Sequence, residues 1–340
     1  MKIALDAFGG DNAPQAVLKG AIRARGELGV TIVLVGNESR ISEAATAAGI
    51  DLTGIEILSA AREFTMEFDP GLMANKEYRD TSMAVGLQAV KDKTLDAFVS
   101  AGSTGALVVG ATLITGRIKG VRRAAIGAVM PTPKRPFLLL DSGATADCSP
   151  EMLENFAVLG SVYMEKALGV ANPEVALVNI GAEEHKGDNL RKDTYQLLKA
   201  NAKINFIGNI EPRDIPAGNA DVVVADGFTG NVVLKLFEGV ASTLMGMIKG
   251  VFKKNPLTML SALLVAGGLK GIKAQMDYSE YGGAPLLGIN GVVIKAHGSS
   301  DAKAFYNACR QAKKCVETGM VETLTQAGFR RAGKAESTVN

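Results

Sequence analysis

The run GVVIKAHGSSD, residues 291–301, sets an apolar stretch, Val292-Val293-Ile294, directly against Lys295, His297, Ser299 and Ser300. His297 is one of only two histidines in 340 residues. Three chemistries fit these residue types: a Ser–His nucleophile pair, a cradle for an anion, or a strand end that caps the next helix. A nucleophilic pair needs its serine on a sharp elbow and a carboxylate behind the histidine. HGSS has no G-x-S-x-G elbow, so the acyl-enzyme reading is weak. Ser299 or Ser300 is a good N-cap for a helix over DAKAFYNACRQAKK. A serine at a helix N-terminus also belongs to an anion site. Phosphate or sulfate capture, with His297 as donor or acid–base group, is the reading these residues favour.

Four other segments combine glycine with small hydroxyl or carboxyl residues: DAFGGDNAP (6–14), VSAGSTGA (99–106), LLDSGATADCSP (139–150) and VVVADGFTGN (222–231). Each joins an apolar run to a helical pattern. Glycines such as Gly9, Gly10, Gly102, Gly105, Gly227 and Gly230 let backbone N–H groups approach a ligand, and a helix N-terminus favours an anion. None of the four is a G-x-x-x-x-G-K-[ST] loop or a G-x-G-x-x-G fingerprint, so neither a nucleoside triphosphate nor a dinucleotide is indicated. Any single loop of this kind is first of all a turn. Four on one sheet edge favour an anion-binding cleft. Of the carboxylates Asp6, Asp11, Asp141, Asp147 and Asp226, at least two are expected to cap helices or hold turns.

The elements that must position these loops alternate. Short runs rich in Val, Ile and Leu (KIALDAF, VTIVLVG, IEILSA, DAFVSAG, IGAVMP, PFLLLDSG, VALVNIG, INFIGNI, DVVVADG) are separated by amphipathic helical segments. That alternation predicts an α/β fold with a buried, mostly parallel sheet sandwiched by helices. Asn290-Gly291 between two apolar runs is a hairpin signal, so the sheet is expected to be mixed. A single helix is predicted from about residue 301 to 326, followed by a disordered tail over 331–340. Residues 1–330 read as one catalytic α/β domain, in one lobe or in two formed by insertion into the sheet order, because no linker composition interrupts them.

Composition excludes several classes. The net charge of +2, with no zinc-finger spacing and no aromatic-studded basic patch, gives no argument for nucleic acid. Cys148, Cys309 and Cys315 are odd in number and form no C-x-x-C pair, which argues against disulfides and fits a reducing cytoplasm. No metal or cofactor is expected, since there is no Cys/His cluster. MKIALDAFGG lacks a signal-peptide core, and no run of about 18 uninterrupted apolar residues marks a membrane span.

Taken together, DAFGGDNAP, VSAGSTGA, LLDSGATADC, NIGAEEHKG (179–187), FIGNIEPRD (206–214), DVVVADGFTGN and YGGAPLLGINGVVIKAHGSSDA resemble the bacterial phosphate acyltransferase of phospholipid synthesis over about residues 1–330. The resemblance implies a fold like phosphotransacetylase and the isocitrate/isopropylmalate dehydrogenases. It implies acyl transfer from acyl-(acyl carrier protein) to inorganic phosphate by a cytoplasmic homodimer, peripherally associated with the inner face of the cell membrane. The acyl phosphate would feed a membrane glycerol-3-phosphate acyltransferase. Alternatives are a short-chain phosphotransacetylase using acyl-CoA, a nicotinamide-dependent dehydrogenase of the same fold, and a non-catalytic membrane-associated scaffold. Phe8 stands where the family usually has Met, and Ser103 and Thr145 where it usually has Asn.

On that reading the phosphate needs positioning more than deprotonation. Backbone amides of 102–105 and 227–231, with Ser103, Thr104, Thr229 and Asn231, would hold it, joined by Asp6, Asp11, Asp141, Ser299 and Ser300 around the same site. Lys186, Lys295 and His297 would offset its charge. His297, Asn231, Lys186 and Asp226 are the catalytic candidates, with His297 or Asn231 aimed at the oxyanion of the tetrahedral intermediate. Residues 231–276 read as an apolar helical hairpin for core or dimer contact. Its tip sets Leu257, Leu260, Leu263 and Leu264 among Lys253, Lys254, Lys270 and Lys273, a composition that suits an anionic membrane surface. GRIKGVRR (116–123) is a candidate dock for an acidic carrier protein, or simply a solvated basic face.

Overall fold

The structure, a computed structural model, describes residues 1–275 and 278–329, without the side chains of 269, 270 and 272–279. The expected tail over 331–340, the Met276 end of the hairpin and the side chains of Lys270 and Lys273 lie outside the described residues.

The chain starts as β1 (Lys2–Asp6), α1 (Gln15–Leu28), β2 (Thr31–Gly36), α2 (Glu38–Ala47), β3 (Glu56–Ser59), α3 (Ser82–Lys91), β4 (Ala97–Ser100) and α4 (Thr104–Gly110), the last extended by a π turn over Ala111–Thr115. Two short strands follow, β5 (Ala125–Ile126) and β6 (Ala128–Met130), then β7 (Phe137–Leu140), α5 (Pro150–Leu168), β8 (Glu174–Val178), α6 (Asn189–Ala200), β9 (Asn205–Ile210) and β10 (Val222–Val224). Two long helices, α7 (Gly227–Phe252) and α8 (Pro256–Gln275), precede β11 (Ala284–Leu287), β12 (Val292–Lys295), α9 (Ala302–Glu317) and α10 (Met320–Ala327).

Among the described residues the strands form two sheets where the alternation alone implies one. The first has seven strands in the order β3-β2-β1-β4-β12-β11-β5, and the second five, β6-β7-β10-β8-β9. Most pairs are parallel; β11 runs antiparallel to both β12 and β5, and β6 antiparallel to β7. The Asn290-Gly291 turn therefore makes the expected hairpin. IGAVMP is not one strand. The chain leaves the first sheet at Ile126 and joins the second at Ala128, with Gly127 between them. A Cβ on Gly127 would lie 2.8 Å from Leu138 Cδ1, so a larger residue there would have to displace the Leu138 side chain. The second sheet is thus inserted between β5 and β11 of the first.

The alternation reads correctly because the central strands are buried on both faces. Ile3, Leu5, Val99, Leu138, Leu140, Val222 and Ile294 belong to one continuous core that spans both sheets, closed by α1, α5 and α9. The predicted 301–326 helix is two helices, because Gly319 adopts φ 61° and breaks it. Its N-cap is Asp301, whose carboxylate accepts from Ala304 N–H at 2.9 Å, and not Ser299 or Ser300. Ser299 is instead drawn to His297, and Ser300 N–H donates to the His297 carbonyl.

Candidate active site

The carboxyl ends of β4, β7 and β12 meet the start of α7 around a cleft of about 1030 Å³. Ligands of open α/β sheets bind at such strand ends. Ser103, Thr104, Asn231, Lys295 and His297 all line it, from three segments spread over nearly two hundred residues of chain. Gly143, at φ 139°, lies against Asn231, with an added Cβ only 3.6 Å from its side chain. Ser142 and Gly143, in the loop after β7, line the cleft beside it.

Each polar side chain has a local cause for its position. Ser103 caps α4, its hydroxyl accepting from Ala106 N–H at 3.4 Å. The first-turn N–H groups of a helix lack intrahelical acceptors, so residues 104 and 105 supply backbone donors at the rim. Lys295 is buried at the end of β12, and its ammonium donates to the carbonyls of Ala101 (3.3 Å) and Ala296 (2.5 Å). Burial pushes the Lys295 pKa down to about 8, against the opposing pull of Asp11 and Asp6. His297 Nδ1 accepts from Ser299 N–H at 3.2 Å and stands 2.9 Å from its hydroxyl. With Nδ1 an acceptor, the neutral ring carries its proton on Nε2.

Asp6 does not reach the cleft. Its carboxylate lies in the core, accepting from Ser82 and Ser100 hydroxyls at 2.8 Å each, and burial raises its pKa. Gly9 and Gly102 pack over it; a Cβ on Gly9 would lie 2.8 Å from Asp6 Oδ2 and 2.9 Å from Gly102 N. Gly105 packs on Pro70, where a Cβ would come within 2.7 Å. Gly10, at φ 103°, brings the Asp11 loop against the His297 loop, where Asp11 N–H donates to Gly298 O at 2.7 Å. Asp141 is also turned inward. Its carboxylate accepts from the N–H groups of Ile126, Gly143, Ala144 and Thr145, which joins the sheet crossing to the loop after β7. Burial raises its pKa in spite of those bonds. Asp301 lines the cleft while capping α9.

The 227–230 segment is not a free phosphate loop. Asp226 caps α7, accepting from Thr229 N–H (2.9 Å) and the Thr229 hydroxyl (2.8 Å), and pairs with Arg191. Gly227 N–H donates to Thr145 O at 2.8 Å and Gly230 N–H to Asp226 O at 2.8 Å. Those donors are already used inside the protein. Lys186 lies on the loop after β8, exposed and outside the cleft lining. Asp226 and Lys186 are therefore not brought to the residues around His297. Thr145 enters these contacts through its backbone, and Phe8 packs against Gly36 beneath the Arg40 guanidinium, 4.2 Å from its ring centre.

Other lining residues carried no motif. Val129, Met130, Leu234, Phe237, Ala241 and Met245 give the cleft a long apolar wall. Met66 joins them from the segment between β3 and α3, which is held by Pro70 against Gly105 and by Met73 against Gly110. The helical spacing of Leu234, Phe237, Ala241 and Met245 was available in the sequence, but nothing there said which face meets the cleft.

Solved structures of the same architecture include a phosphotransacetylase from Staphylococcus aureus, with TM-score 0.64, 19% identity and coverage of 93% of this chain and 94% of that one. A phosphotransacetylase from Streptococcus pyogenes aligns with TM-score 0.63 at 17% identity, over 95% and 94% of the two chains. The fold is thus the two-sheet α/β fold of the phosphotransacetylases. The chain belongs to the family described as Fatty acid synthesis protein, whose pattern matches residues 1–323. Relatives named phosphate acyltransferase include those of Alkaliphilus oremlandii, 47% identical over 96% of this chain and 97% of theirs, and Clostridium acetobutylicum, 45% identical over 96% and 98%. This chain is an acyltransferase.

Proposed function

We propose that the protein transfers a long-chain acyl group from acyl-(acyl carrier protein) to inorganic phosphate, making acyl phosphate for phospholipid synthesis. One observation carries the reading: the cleft is polar where Ser103, Thr104, Asn231, Lys295 and His297 meet, and Leu234, Phe237, Ala241 and Met245 of α7 give it an apolar stripe beside Lys235 and Glu238. A small dianion and a long alkyl chain need those two environments side by side. The family membership and the names of the relatives support it.

In this mechanism a phosphate oxygen attacks the thioester carbonyl carbon, and the carbon–sulfur bond breaks as the thiolate leaves. The Lys295 ammonium and the hydroxyls of Ser103 and Thr104 hold the phosphate. His297 Nε2–H or the Asn231 amide meets the oxyanion of the tetrahedral intermediate, the step at which fixed donors contribute most. The thiolate is a good leaving group, so no general acid is required of the site.

The remaining parts of the proposal concern partners. Arg117, Lys119 and Arg123 are exposed and form the dock for the acidic carrier protein; Arg117 also donates to the Arg122 carbonyl, and the Arg122 side chain is engaged with Ser149 and Glu151. The outer face of α7 meets a second copy of the chain. The tip around Leu257, Leu260, Leu263 and Leu264 rests on the inner face of the cell membrane, within reach of the glycerol-3-phosphate acyltransferase.

The deciding experiment is to incubate the protein with hexadecanoyl-(acyl carrier protein), with and without phosphate, and to trap acyl phosphate with hydroxylamine. Phosphate-dependent hydroxamate is expected. Hydroxamate from acetyl-CoA alone would make it a short-chain phosphotransacetylase, and none from either donor would leave the scaffold reading.

A further inference from the structure

From Asn231 the cleft-facing side of α7 continues through Leu234, Phe237, Ala241 and Met245, at steps of three, three, four and four residues. Those steps keep one helix face on the cleft for its whole length. Lys235 and Glu238 lie together on one side of this stripe, where they also line the cleft and pair with each other at 3.1 Å. At 1.5 Å per residue, Asn231 to Met245 rises about 21 Å, roughly the length of an extended sixteen-carbon chain.

We infer that this face of α7 is the track of the acyl chain, and that Ala241 sets how long a chain it accepts. The inference rests on the acyl-phosphate reading above and names the determinant of its chain length. Ala241 is the small residue between Phe237 and Met245, and it is half-buried on the cleft side. It lies ten residues from Asn231, about 15 Å along the helix, where a chain bound at the polar end reaches about its twelfth carbon. A larger side chain there closes the track to longer acyl groups and leaves shorter ones room. Leu244 is the natural control: it is on the same helix but 52% exposed and outside the cleft lining.

The test is the ratio of kcat/KM for hexadecanoyl and octanoyl donors on the carrier protein, with phosphate saturating. In the wild type each additional buried methylene is expected to raise kcat/KM by up to about fourfold. Ala241→Phe should lower the hexadecanoyl-to-octanoyl ratio at least tenfold. Ala241→Leu should lower it by an intermediate amount, and Leu244→Phe should leave it at the wild-type value. The graded response and an unchanged circular dichroism spectrum separate a blocked track from a misfolded helix. An unchanged ratio in Ala241→Phe would overturn the inference while the acyl-phosphate reading stood. Equal loss for both donors would also overturn it, by placing the carrier's thioester arm on this face instead. A wild type that makes no acyl phosphate from any donor removes both together.

Discussion

Lys295 sits at the polar end of the cleft with its ammonium shared between two carbonyls, and burial holds its pKa at about 8 against an ordinary 10.5. Between those two values the unfolded chain binds the proton and the folded one does not, so this residue's contribution to stability rises with pH across that window. Function should move the other way. kcat/KM for phosphate reports the free enzyme and should fall as pH rises through about 8, where the ammonium is lost. Lys295→Met should show a lower value with no titration there; a wild-type profile flat from pH 7 to 10 would remove Lys295 from phosphate binding. His297 makes a complementary prediction. Its side chain is exposed, so His297→Ala should leave the melting temperature within about 2 °C. It should lower kcat by about 100-fold, the usual cost of one oxyanion donor. Normal turnover in that variant would discard the role.

At the scale of elements, the start of α7 decides whether Asn231 faces the cleft. Gly230 lies so close to the loop after β7 that an added Cβ would sit 1.9 Å from the Asp141 carbonyl oxygen. Gly230→Ala must therefore push α7 away from Asp141. The expected loss of stability is about 1–3 kcal/mol, the range for overpacking, with a larger loss of kcat because Asn231 moves too. Urea unfolding and initial rates measured together check this; full stability would mean that α7 is not wedged as described. Asp141 organises the same junction from the other side, through four backbone N–H groups. The sequence marks it as a ligand residue or a turn holder, and its partners make it the latter.

Over the whole molecule, the insertion between β5 and β11 ends in a hairpin whose tip the other described residues do not cover. Leu257, Leu263 and Leu264 are 79%, 73% and 85% exposed. By length and composition alone, α7 is long and apolar enough to cross a membrane. Its first turns are locked to Asp141 and Thr145 and its face lines the cleft as far as Met245, so the remaining turns are too few to span about 30 Å of hydrocarbon. The membrane contact proposed above is therefore one with the surface. Leu263→Glu with Leu264→Glu should abolish co-sedimentation with vesicles containing anionic lipid and leave turnover of a soluble acyl donor near the wild-type rate. Retained sedimentation would move the contact elsewhere.

Much of this was legible from residue order. The strand-helix alternation, the Asn290-Gly291 hairpin and the exposed apolar hairpin follow from periodicity and turn chemistry, because buried parallel strands, tight turns and amphipathic helices impose short-range patterns. Lys295, His297, Ser103, Thr104 and Asn231 could be picked out one motif at a time for the same reason. Other features depend on contacts between segments far apart in the chain. The division into two sheets at Gly127 depends on Leu138, and the inward turn of Asp6 on Ser82 and Ser100. Arg191 occupies Asp226, and Asn231 meets the cleft beside the loop that carries Gly143. A carboxylate has the same local pattern whether it meets a ligand, a cap or a pair of serines. Residue order determined which groups were candidates and on what elements; only packing decided which of them face one cleft and which are already occupied.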